Sequence, residues 1–345
     1  VFYIFLNKMK FNLFSLLAIL TLTFKGIVLD AILVGGILLP HGDFAYDPNL
    51  FPPTKRTERQ LSKQIAVASR KAGIYLSEVL KPDVILLSTP HGIKLDTDFG
   101  IYISEYGKGY ATIGMDLHDN STSSKMYNVS LEIQMDMNMS EELLSTLQKN
   151  ENVSGIYSYN REAPMPLNWG EIIPLLLLPK AQRYRHLIWS HPQRRYQHSQ
   201  EMVKEMLRLG KKIEVWARQR PEKIAVIISG DLSHTHLNQG PYGYSNTSAH
   251  FDAAVGDWAA RPYKKSDSLL EGAKHMQPQA MSCGFTGHVL WHGMLTSAAT
   301  TKQIMKSNVL ANLNVTYYGM VAATFSPLIN NDNAADVNIV SETMI

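Results

Sequence analysis

Ile224-Ala225-Val226-Ile227-Ile228-Ser229-Gly230-Asp231-Leu232-Ser233-His234 is the stretch from which the rest of the chain is read. A short unbroken apolar run with polar residues on either side suits a strand buried on both faces. It stops in a turn that ends on a histidine. Two other segments repeat the plan, Leu38-Leu39-Pro40-His41-Gly42 and Leu87-Ser88-Thr89-Pro90-His91-Gly92. In open α/β sheets, ligands bind beyond the carboxyl ends of the strands. Three histidines at three such ends are placed to converge on one pocket, although any one of them alone reads as an ordinary loop residue.

Working outward, Ala31 to Leu39 is a buried strand ending at Pro40, and Val84 to Leu87 is another. Between them, apolar residues from Leu61 to Val79 recur at helical spacing. The spacing predicts a long amphipathic helix over Thr57 to Leu80, ended by Lys81-Pro82. Ile93 to Tyr159 is a more polar excursion, with strands expected around Gly100 to Tyr102 and Tyr127 to Met135 and a helix near Glu141 to Gln148. Arg185 to Trp189 reads as a strand. Ser199 to Leu209 reads as a helix with Gly210 as its stop signal. Further helices are expected over Glu271 to Met276 and Gly287 to Ala299. Alternating strands and helices point to an α/β fold, a central mixed sheet flanked by helices, in one domain over 27–330 with a polar tail over 331–345.

With 345 residues, 45% of them hydrophobic, the chain can bury a large core. Charged residues make up 18% and the net charge is +3, with no Lys/Arg block, so nothing marks a nucleic-acid partner. The basic segment Arg183 to Arg195 reads as a solvated face. Cys283 is the only cysteine, which excludes an internal disulfide. It stands open as a packed apolar residue, a reactive thiol or a metal ligand.

Met9-Lys10 followed by the apolar run Phe11 to Phe24 has the shape of a secretory signal peptide, with the mature chain expected to start near residue 27. The run is too short for a stable membrane span. N-x-S/T sequons at Asn120, Asn128, Asn138, Asn152, Asn246 and Asn314 add to the expectation of a secreted glycoprotein. A buried helix or strand is the alternative reading of the N-terminal run, and it would leave the protein in the cytoplasm.

Imidazole binds Fe, Cu and Zn, and two His with one further ligand leave positions open for a substrate. A third, unligated His is suited to acid/base work because its ordinary pKa lies near neutrality. Asp43 and Asp231 flank two of the His turns, where a carboxylate can orient an imidazole or bond local backbone. His236 stands two residues beyond His234 and is a candidate for lining the pocket. Tyr242 is a candidate for contact with an aromatic substrate. His288 and His292, four apart on a helix, read as packing residues, and His118, His186, His191, His198, His250 and His275 as surface or structural ones.

The run from Ser229 to His234, continued by Gly240-Pro241-Tyr242-Gly243, resembles the signature of the LigB superfamily. That superfamily holds class III extradiol ring-cleavage dioxygenases and Memo-like proteins. Pro40-His41 and Pro90-His91 resemble its two His-ligand segments in the expected order. Pro166-Leu167-Asn168-Trp169-Gly170-Glu171 through Leu175 resembles its middle motif, and Ser282-Cys283-Gly284 with Val289-Leu290-Trp291 the late segment of Memo-like members. The resemblance spans about 33–326. It implies a LigB/Memo-like domain with His41 and His91 as ligands of a divalent metal and His234 as the acid/base. It implies Fe(II) as the metal, with a small aromatic diol and O2 as partners. In the dioxygenases a Glu completes the site; here Cys283 stands at that position, with Glu271 as a more distant alternative. A thiolate favours Cu(I) or Zn over Fe(II). The second expectation is therefore a Memo-like copper-binding protein acting in redox chemistry or partner binding.

Overall fold

A computed structural model describes residues 33–114, 126–160 and 162–328. The strands are β1 (Leu33–Leu39), β2 (Val84–Thr89), β3 (Phe99–Ile103), β4 (Tyr106–Ile113), β5 (Tyr127–Met135), β6 (Val153–Tyr157), β7 (Met165–Leu167), β8 (Arg185–Ser190), β9 (Ile224–Ser229), β10 (Met305–Asn314) and β11 (Gly319–Pro327). The helices are α1 (Asp43–Tyr46), α2 (Arg56–Tyr75), α3 (Met137–Leu147), α4 (Trp169–Leu176), α5 (Arg195–His198), α6 (Val203–Ala217), α7 (Ser248–Ala260), α8 (Lys274–Ala280) and α9 (Phe285–Thr300). The expected signal peptide, the C-terminal tail, Asn120 and His118 lie outside the described residues.

The strands form one mixed sheet whose path runs β10-β11-β1-β9-β2-β8-β5-β4-β7, with β3 joining β8 to β6. Its centre is parallel: β9 lies between β1 and β2, and β8 follows β2. The three aliphatic runs therefore end side by side at one edge, which brings their His-bearing turns together. Alternation explains why this centre is stable. Val84 and Leu86 of β2 and Ile224, Val226 and Ile228 of β9 face a core shared with α6, α7 and α9. Ile85, Leu87, Ala225 and Ile227 face the opposite core, shared with α2 and α4. Each such side chain contributes on the order of 1.5–3 kcal/mol by leaving water.

Several boundaries differ from the sequence reading, each for a tertiary reason. Helix α6 runs straight through Gly210 instead of stopping there, because a side chain at that position would lie 2.2 Å from the Leu290 carbonyl of α9. Glycine serves there for close helix packing, not as a cap. The long second helix ends in a π-helical turn, Leu76–Leu80, and within the apolar pattern from Leu61 to Val79 the residues Val67, Ile74 and Val79 face solvent. The C-terminal hairpin of β10 and β11 carries mixed residues and gave no strand signal, yet β11 pairs antiparallel with β1. At that junction Gly35 adopts φ +138° in a register shift of β1, and a Cβ there would meet the Phe325 carbonyl at 2.2 Å. The basic segment is not uniformly solvated either, since Arg195 is buried. The sequon residues Asn128, Asn138, Asn152, Asn246 and Asn314 are all exposed.

Candidate metal centre

Beyond the carboxyl ends of β1, β2 and β9, the ligating atoms of His41, His91 and Cys283 all lie within 4.8 Å of one another. A second trio, Asp231, His234 and Cys283, meets the same limit and shares the sulfur. Cys283 enters from the turn between α8 and α9, where the Gly284 N–H and the Ser282 hydroxyl both donate to the Asp231 carbonyl at 3.0 and 2.9 Å. The Asp231 N–H in turn donates to Sγ at 3.2 Å. Nε2 of His41 stands 3.3 Å from Sγ and 3.3 Å from the Asp231 carboxylate. The other oxygen of Asp231 accepts from the His41 backbone N–H at 3.2 Å.

The orientation of His41 follows from a short relay. The Ser229 hydroxyl donates to the Gly170 carbonyl at 2.7 Å, so it is left to accept from Nδ1–H of His41 at 2.9 Å. The proton on Nδ1 leaves the Nε2 lone pair facing the sulfur, the arrangement usual for a metal-binding imidazole. His91 is held by the same helix start. Gly170 packs on it so closely that a Cβ would lie 2.8 Å from Cβ of His91. The Ile93 N–H donates to the Tyr102 phenol, which donates to the buried Glu171 carboxyl at 3.0 Å. On the far side, the Arg195 guanidinium donates to the Pro90 carbonyl at 2.8 and 3.1 Å. The first turn of α4 thus ties both imidazole-bearing turns to one rigid element.

Burial, reinforced by His234 and by the positive Arg195, lowers the His41 pKa to about 3. Burial, then His41, also holds His91 well below its usual range, and burial brings His234 down to about 4. The imidazoles are therefore neutral near pH 7, with lone pairs available. Burial pushes the Cys283 thiol up, with Asp231 adding to the effect and Arg195 opposing it. Burial likewise raises Glu171 to about 8.

The donor set fits a divalent or monovalent transition metal on two observations. Nδ1 of His91 is buried without a hydrogen-bond partner, and two imidazoles with a thiol suit Zn, Cu or Fe. Asp231 supplies a carboxylate at the same point. Glu271, by contrast, is exposed on the π-helical turn Ser268–Ala273, which is where a solvated glutamate is most stable and not where a ligand would sit.

The centre opens into a cavity of about 810 Å³ lined by His41, Asp43, His91, Asp231, His234 and Tyr242 among others. Asp43 accepts from the Gly114 N–H at 2.7 Å, a distant partner rather than a local turn. Tyr242 meets the His234 ring edge-on at 5.7 Å. His236, expected in the pocket, is not among the lining residues. Its Nε2 pairs instead with the buried Asp252 at 2.7 Å, and Asp252 also accepts from the Ser233 N–H at 2.9 Å. The pair thus braces the turn that carries His234. His292 accepts from the Trp258 indole N–H, and His191 bridges the Ser88 and Thr286 hydroxyls, so both are packing residues.

Sequence reading missed Trp169, which packs its ring 4.9 Å from His91, and Tyr318, which stacks on His234 at 5.9 Å. It also missed Ser229 as the partner of His41, and Arg195. Ser229 and Trp169 stood inside quoted motifs and were legible as neighbours of the site. Tyr318 and Arg195 had no local signal, because they arrive from the C-terminal hairpin and from the turn after β8.

The model of the family described as the catalytic LigB subunit of aromatic ring-opening dioxygenase matches residues 36–324. A search of curated proteins finds no match. Among solved structures the chain is similar to an uncharacterized protein, JW3007 from Escherichia coli K12. The two share 11% identity at a TM-score of 0.48, over 84% of this chain and 99% of the other.

Proposed function

Because the chain belongs to the LigB family of aromatic ring-opening dioxygenases, we propose that it cleaves the ring of an aromatic diol with O2 at the centre of His41, His91 and Cys283. The observation that carries this reading is the meeting of those three donors within 4.8 Å, with His41, His91 and His234 all lining one cavity. Fe(II), when bound, would supply the redox chemistry by which O2 opens the ring, with one ring carbon–carbon bond broken and both oxygen atoms ending in the product. His41 and His91 would hold the metal, His41 oriented by the Ser229 hydroxyl and His91 by its packing on Gly170 and Trp169. His234, neutral near pH 7, takes the proton from a diol hydroxyl and returns it to the opening ring. Trp169 beside His91 and Tyr242 beside His234 flank the position a bound ring would take.

Cys283 favours a second reading. A thiolate in place of a carboxylate suits Cu(I), and the site would then serve metal binding and redox chemistry without ring cleavage, as in Memo-like proteins. The carboxylate of Asp231, 3.3 Å from Nε2 of His41, is what keeps Fe(II) chemistry open.

One experiment separates the two. Purified protein is loaded anaerobically with Fe(II) or Cu(I), then offered catechols and O2 while absorbance of a ring-opened product is followed. Ring cleavage requires turnover with Fe(II), lost in His234→Ala while metal content stays. The copper reading requires no turnover, with Cu(I) affinity that falls in Cys283→Ser.

A further inference from the structure

We infer that the cavity is built for a diol whose ring carries a second aromatic ring, and that Trp169, Tyr242 and Tyr110 select it. The inference rests on the ring-cleavage reading and adds the substrate class. Its first support is size. A cavity of about 150 Å³ holds one benzene ring, whereas this one measures about 810 Å³. A single-ring diol at the metal would leave most of that space to water.

The second support is the wall. Trp169, Tyr242 and Tyr110 line this cavity, and they are 44%, 51% and 65% exposed. Large aromatic side chains left half in water around one opening mark a ligand surface. Their order is informative. Trp169 lies against His91 and Tyr242 against His234, so both flank a ring held at the metal. Tyr110, on β4, lines the same cavity without touching either imidazole's aromatic neighbour, and it is the most exposed of the three.

The third support is charge. Lys108 is the cation among the lining residues, and its ammonium already pairs with Glu132 at 2.9 Å in the exposed β4–β5 ladder. Asp43 is engaged with the Gly114 N–H. Among the described lining residues no other Lys or Arg offers itself to a substrate carboxylate, while a flat apolar ring finds aromatic faces.

The test compares catechol with 4-phenylcatechol in the Fe(II)-loaded full chain. The two-ring diol should show a kcat/KM roughly tenfold higher or more, mostly through KM, as stacking on several rings would give. Tyr110→Ala, at an exposed position, should shrink that ratio at least threefold, and Tyr110→Phe should restore it. Tryptophan fluorescence titrations of the metal-free protein with phenol and 4-phenylphenol supply a readout independent of turnover. Tighter binding of 4-phenylphenol with no turnover of any diol would overturn the ring-cleavage reading and leave the two-ring pocket standing. Equal kcat/KM for the two catechols, or equal affinity for the two phenols, would overturn the inference itself.

Discussion

Replacing Ser229 by alanine tests the structural claim on which the metal centre depends. The Ser229 hydroxyl is buried and makes two bonds, accepting from Nδ1 of His41 at 2.9 Å and donating to the Gly170 carbonyl at 2.7 Å. Removing it leaves two buried polar groups without partners, each costing about 1–3 kcal/mol. The fold should therefore lose about 2–6 kcal/mol of stability, read as a lower midpoint in urea unfolding. The second effect is on the metal. Without the hydroxyl nothing fixes the proton on Nδ1, and Nε2 is no longer committed to the site. Loss of such a backing partner typically weakens metal affinity 10–100-fold, or about 1.4–2.7 kcal/mol. Competition with a chromophoric chelator measures this in protein that remains folded at low temperature. If Ser229→Ala binds Zn(II) or Fe(II) as tightly as the parent chain, the orientation of His41 does not depend on this relay and the argument for the centre's preorganisation fails.

Glu171 provides a pH test. Burial raises its carboxyl from 4.5 to about 8, so across that window the folded chain keeps a proton that the unfolded chain has released. Stability should then fall as pH rises from about 5 to 8, at up to about 1.4 kcal/mol per unit. Glu171→Gln should flatten the slope, and parallel slopes in urea titrations of the two proteins would contradict the assignment. Gly210→Ala should lower Tm even though alanine is the better helix former by about 1 kcal/mol, because its Cβ would sit 2.2 Å from the Leu290 carbonyl and force α6 from α9. A rise in Tm would show that the two helices can separate freely. Asp252→Ala should destabilise the turn of His234 by about 3–5 kcal/mol, since it leaves His236 and the Ser233 N–H without their carboxylate; thermal unfolding with an unchanged midpoint would refute this. We propose, too, that the exposed sequon residues Asn128, Asn138, Asn152, Asn246 and Asn314 carry glycans when the chain is made in a secretory host; a mass unchanged by amidase treatment would count against it.

Much of the centre was legible because its pieces are local in sequence. An aliphatic run ending in a turn with His is visible wherever it occurs, and β1, β2 and β9 each announce themselves that way. Buried parallel strands need nothing but continuous apolar residues, so their hydrophobicity exposes them. Their order in the sheet was not legible. That β9 lies between β1 and β2 depends on register and on crossover connections, which no single segment encodes.

The sequence by itself determined the class of fold, the strand ends and the residue types able to hold a metal or move a proton, because periodicity and chemistry are written in neighbouring residues. Only the tertiary structure decided which of those residues meet. It turned His236 toward Asp252, left Glu271 in solvent, brought the Asp231 carboxylate to His41 and packed Tyr318 on His234. Each of these outcomes depends on contacts between segments far apart in the chain, and such contacts are set by packing and register rather than by local preference.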